Sequence, residues 1–156
     1  MIKIEIQDQD VLAAFNELAR RESDLTPVTR EIANTLLDHT EENFAQQGRP
    51  RWPDLAPSTI RERTRLKKWP GPILQRSAGG LAAAVTPAHD AISAALTVAK
   101  PYARIHQRGG QAGRGRKVTI PPRPYLPITA QNTLQPEAEA DIVATVLRYL
   151  RDSIPR

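Results

Sequence analysis

The chain has 156 residues with 14 prolines, 8 glycines, no cysteine and a net charge of +5; that length suits one domain over residues 1–156, with a core burying roughly 70% of the unfolded surface. Without cysteine, disulfides, thiolate chemistry and cysteine-ligated zinc are excluded. The charge is sharply divided, with 4 basic and 10 acidic side chains in residues 1–48, 15 and 3 in residues 49–126, and 3 and 4 in residues 127–156, which points to an anionic partner for the middle or to copies that meet acidic face to basic face.

Ile2, Ile4 and Ile6 alternate with Lys3 and Glu5, the pattern of a short strand with one buried face. This acidic, alternating start is unlike a signal peptide, and no apolar stretch reaches the ~18 residues of a membrane span, so a soluble protein with no membrane partner is expected. Asp8 or Asp10 suits the cap of a helix carrying Val11, Leu12, Phe15, Leu18 and Ala19. Thr26 then reads as an N-cap, with Pro27 at the first helical position, where a missing N–H costs nothing. A long helix follows, with Val28, Ile32, Leu36, His39 and Phe44 on one stripe, and it should stop near Gln47 with Gly48 as the left-handed terminator.

Residues 49–57, RPRWPDLAP, hold three prolines, so an extended arm is expected, pinned to the body by Trp52 and Leu55. Pro57 or Ser58 opens a short basic helix to Lys68, which WPGP at 69–72 breaks. A hinge at Gly79-Gly80, a strand over residues 81–86, a turn at His89-Asp90 and weak alternation over 91–99, with Ile92, Leu96 and Val98 as its apolar positions, come next. Residues 117–120 give one more strand, and Pro121, Pro122 and Pro124 force an extended exit. From about Pro136 the spacing predicts a helix with Ile142, Val143, Val146, Leu147 and Leu150 as its buried stripe. Strands grouped in a central meander between helices indicate an α+β fold: a small antiparallel sheet packed against a long helix and a C-terminal helix, with extended Pro-rich and Gly-rich arms.

Catalytic patterns are weak. His39, His89 and His106 stand at no metal-ligand spacing. Ser77 has Arg76 beside it but no local histidine or carboxylate to activate it. His106 adjoins the glycine-rich run and is the best single candidate, although fixing a loop is the preferred role. Asp38 and Glu42, one helical turn apart, share a face that suits an acidic surface able to receive the basic middle of a neighbouring copy.

Residues 108–117, RGGQAGRGRK, contain four glycines and four basic residues. Gly110 and Gly115 have the spacing of a phosphate-binding loop, but Arg116 stands where lysine belongs and a strand follows instead of a helix. Arg108, Arg114, Arg116 and Lys117 suit phosphate contact without base reading, because the interleaved aromatics of single-strand binders are missing.

Four segments then occur in order: GRPRWPDLAPSTIRER after Phe44, GPILQRSAGGLAAAV, PYARIHQRGG and VTIPPRPYLPI. Together, over residues 44–128, they resemble the phage virion morphogenesis family, the tail-completion and head–tail joining proteins of Mu-like and P2-like phages and prophages. Ala78 departs from the family's tighter Ser-Gly turn. The resemblance implies a non-enzymatic structural protein without cofactors. It implies a virion protein of the tail end or neck, present in the host cytoplasm during assembly. Its implied partners are copies of itself in a homo-oligomeric ring, expected as a hexamer, together with tail tube, terminator or neck connector proteins, and non-specifically the packaged DNA. On this reading Arg108, Arg114, Arg116 and Lys117 form a mobile DNA-channel or subunit-contact loop, with Tyr102, Ile105, His106, Tyr125 and Leu126 as its anchors. The alternative is a non-specific DNA-binding module using the basic segment 61–117.

Overall fold

The computed structural model describes residues 9–21 and 24–152; the strand expected at Ile2–Ile6 lies outside them. Helix α1 (Gln9–Arg21) precedes α2 (Thr26–Ala45) and α3 (Pro57–Arg65). Strands β1 (Val85–His89) and β2 (Ala94–Val98) follow, then α4 (Ala103–Arg108), β3 (Gly110–Ala112), β4 (Val118–Ile120) and α5 (Pro136–Asp152). The fold is α+β. In place of a three-stranded meander, β1 pairs only with β2 and β3 only with β4, both antiparallel. Helix α4 separates the two pairs, which is why they form two hairpins.

The long helix α2 joins two hydrophobic clusters. Its N-terminal half lays Val28 and Ile32 against Leu18 of α1 and Ala138, Ile142 and Val146 of α5. Its C-terminal half inserts Phe44 among Trp52, Val85, Val98, Tyr125 and Leu126. The first hairpin packs on α2, with Val85 and Val98 buried and directly paired.

Local chemistry sets the ends of α2. Leu25, not Thr26, holds the N-cap position, because Asp24 Oδ1 accepts the Thr26 N–H at 2.9 Å and starts the helix one residue early. At the other end the chain turns left-handed at Gln47 and Gly48, with φ of 56° and 100°. A Cβ on Gly48 would stand 2.7 Å from the Pro50 carbonyl oxygen and against the Trp52 ring, so glycine is required there.

Three side-chain expectations change. Ile92 sits in the β1–β2 turn and is 77% exposed, because Asp90 closes that turn by accepting the Ile92 and Ser93 N–H groups at 2.8 Å. Leu147 is 52% exposed; α5 instead buries Ala138, Ile142, Thr145 and Val146, which face α1 and α2. In α1, Leu18 is buried and Phe15 half-buried, whereas Leu12 and Ala19 face outward.

Candidate functional site

The four family-like segments converge on one buried knot. Trp52 meets Phe44 edge to face at 5.8 Å, and Phe44 stacks on Tyr125 at 5.5 Å; such pairs each add about 0.5–1.5 kcal/mol beyond burial. The Trp52 indole N–H donates to the Pro124 carbonyl at 2.8 Å. Arg123, 5% exposed, donates from Nε to the Pro53 carbonyl at 2.9 Å and from its terminal nitrogen to the Asp54 carbonyl at 2.7 Å. The proline-rich entry and the proline-rich exit are thereby fastened to each other. Leu55 packs half-buried beside them. Gln75 donates to the Phe44 carbonyl at 3.1 Å, and the Gln47 side chain accepts the Ile73 N–H at 3.2 Å, which brings the ILQ segment to the same place.

Buried polar side chains complete the knot by satisfying backbone that has no secondary-structure partner. Gln107 Oε1 accepts both the Tyr125 and Leu126 N–H groups, at 3.0 and 3.1 Å. Asn43 donates to the Tyr125 carbonyl and to Gln135 Oε1, both at 3.1 Å, while Gln135 donates to the Arg49 carbonyl at 2.7 Å. Arg49 in turn donates to Asn43 Oδ1 at 2.8 Å. Periodicity did not reveal these residues, since polarity argues for the surface; the available signal was Asn43 standing on the stripe of Ile32 and Leu36. Burial pushes the Tyr125 phenol well above its ordinary pKa and lowers that of Arg123.

The second hairpin projects from this knot. At its base the Arg123 N–H donates to the His106 carbonyl at 2.7 Å. Gly109 enters β3 at φ +71°, with the Ile120 carbonyl and Pro122 2.9 Å from where a Cβ would stand. The expected loop is therefore a paired structure in the isolated chain, with Gly110, Gln111 and Ala112 opposite Ile120, Thr119 and Val118. Of the named anchors, Tyr125 and Leu126 are buried and Ile105 and His106 half-buried. Tyr102 does not enter the core: it is 41% exposed, its ring edge-on to His106 at 5.8 Å. Burial, and secondarily the Arg123 charge, hold the His106 imidazole below its ordinary pKa, and its buried Nδ1 has no hydrogen-bond partner among the described residues.

Arg108, Arg114, Arg116 and Lys117 are all exposed, the last three at the hairpin's tip. Arg61, Arg65, Lys67 and Lys68 expose a second basic run at α3 and just beyond it. None of these eight forms an ion pair among the described residues. Glu62 lies within the α3 run, paired with Arg76, and five further carboxylates, Asp38, Glu41 and Glu42 on α2 and Glu137 and Asp141 on α5, are exposed elsewhere. His39, half-buried between them, contacts Asp141 at 2.8 Å and Arg49 at 3.2 Å and so joins the two helices. His89, at the end of β1, is exposed.

The motif residues thus turn inward, while the basic runs of the second hairpin and of α3 turn outward. The chain belongs to the phage virion morphogenesis family, whose model matches residues 6–151. It is also similar to the Mu-like prophage FluMu G protein 2 of Haemophilus influenzae, 37% identical over 152 residues and covering 97% of both chains. No solved structure matches it.

Proposed function

We propose that this chain is a non-enzymatic structural subunit of a phage particle that completes the tail end or joins tail to head, and that it works there as a homo-oligomeric ring. Membership of a virion morphogenesis family along nearly the whole chain supports a role in the particle. The observation that carries the reading is the fate of the motif residues. Trp52, Gln75, Gln107, Arg123 and Tyr125 make one internal knot and leave the outside free for contacts. Partners on this reading are further copies and tail tube, terminator or connector proteins.

The test is deletion of the gene from its prophage or phage, with particles viewed by negative-stain electron microscopy. Heads and tails should form but remain unjoined or unfinished, and the protein supplied in trans should restore infectivity. Normal infectious particles without the protein, or its absence from purified particles, would overturn the reading. A second reading, non-specific DNA contact by segment 61–117, is favoured by the unpaired cations at 61–68 and 108–117. It predicts a gel shift that weakens steeply between about 50 and 200 mM salt, and no salt-sensitive shift would remove it.

A further inference from the structure

We propose that the β3–β4 hairpin of one copy docks across the carboxylate ridge of α2 and α5, and the apolar strip beside it, on a second copy. The proposal rests on the reading above that copies of this chain assemble together.

The ridge is built by two antiparallel helices. Glu31 pairs with Arg148, His39 with Asp141 and Asn43 with Gln135, so the end of α2 lies beside the start of α5. Asp38 and Glu42, on the flank of α2 beside His39, therefore come next to Glu137 and Asp141. Asp141 is held by His39 and Glu42 by Gln46, whereas Asp38 and Glu137 have no cationic partner among the described residues. Four carboxylates gathered on one face make it a favourable place for a cation.

On the flank of α5 beyond Glu137, helical spacing places Ala140, Val143, Ala144 and Leu147 in one strip. They line a shallow groove of about 520 Å³. The hairpin tip carries the complement of both features. Arg114, Arg116 and Lys117 supply three exposed charges, and Val118 next to them is 51% exposed. Cations beside an exposed valine match carboxylates beside an apolar strip.

A second copy explains more than an anionic polymer does. DNA would neutralise the hairpin and leave the ridge unmatched, whereas a neighbouring copy matches both at once. Because hairpin and ridge are different surfaces, each docking leaves one of each free. Such a heterologous contact propagates head to tail, and it closes into a ring when the rotation permits.

The chain has no cysteine, so single-cysteine variants report the contact directly. Val118→Cys and Ala144→Cys proteins, each carrying one thiol, are mixed and mildly oxidised. The experiment is run on purified protein and on cells co-expressing both variants while particles assemble. The expected product is the Val118–Ala144 heterodimer, several-fold above either homodimer. Adding Arg114→Glu, Arg116→Glu and Lys117→Glu to the Val118→Cys partner should abolish it, and Glu137→Lys with Asp141→Lys on the other partner should restore it. Homodimers alone, no cross-link in either setting, or indifference to charge reversal would overturn the proposal. If deletion disrupts particles but no heterodimer forms, this contact fails and the functional reading stands. If the heterodimer forms while deletion leaves particles normal, the contact stands and the functional reading fails.

Discussion

The two hairpins share a local geometry and differ in what holds them. The β1–β2 pair is held at both ends, with Val85 and Val98 buried against α2 at one and Asp90 tying the turn and accepting from Thr29 of α2 at the other. The β3–β4 pair is held at its base, where Gln107 and Arg123 grip the chain just beyond β4, while Val118 and the cations at the tip face solvent. Backbone pairing alone makes a short two-stranded hairpin marginal in water. The difference teaches that the first hairpin belongs to the core, and the second is an arm whose shape depends on a clamp several residues away.

The largest effect should come from breaking that clamp. Gln107→Ala leaves the buried Tyr125 and Leu126 N–H groups without an acceptor, at roughly 1–3 kcal/mol each. Urea unfolding should show a loss of roughly 2–5 kcal/mol; a loss within error would mean that the base is held by something else. Next comes a matched pair. Val98→Ala, in the buried strand, should cost about 2 kcal/mol, and Val118→Ala, at the exposed tip, no more than about 0.5 kcal/mol. Equal costs would erase the distinction between core hairpin and arm. Gly109→Ala comes third. It forces a Cβ into the left-handed region at φ +71°, against the Ile120 carbonyl and Pro122. With ψ at 179° this backbone is essentially glycine-only, so the change should cost about 1–3 kcal/mol, with loss of amide protection confined to the second hairpin in hydrogen exchange.

The comparison also shows what the sequence could reveal. Helix α2 was legible from its stripe, Pro27 and Gly48, because amphipathic spacing and backbone punctuation are local properties. Strand β3 was not: Gly110, Gln111 and Ala112 have no β-branched or aromatic residue, and only pairing with Val118–Ile120 makes them a strand. Leu147 falls on the apolar stripe of α5 yet is exposed, because a helical stripe fixes which residues share a side, but not which edge of that side the neighbouring helices cover. Cations at 108–117 stood out in composition, and the structure leaves them exposed. The acidic surface was half visible, since Asp38 and Glu42 share a turn, but Glu137 and Asp141 join them only once α5 packs antiparallel to α2. The buried amides Asn43, Gln107 and Gln135 carry no local signal because most of their partners, backbone and side chain alike, lie far away in the chain.

Acid should separate the hairpins with the smallest but most selective effect. His106 at the arm's base is kept below its ordinary value of 6.5 by burial and by Arg123. The unfolded chain therefore binds a proton that the folded chain resists. The stability His106 contributes is complete above 6.5 and is lost as pH falls through the lower folded value. Asp90 in the core hairpin is held below 3.8 by the Ile92 N–H and the Ser93 hydroxyl, so its contribution is complete above 3.8 and disappears only in stronger acid. Falling pH should loosen the arm's base before the core hairpin's turn. His106→Phe should flatten the stability profile just below pH 6.5 and leave the limb below 3.8 intact, whereas Asp90→Asn should do the reverse. Unfolding curves collected across that range would reject the ordering if His106→Phe followed the wild type throughout.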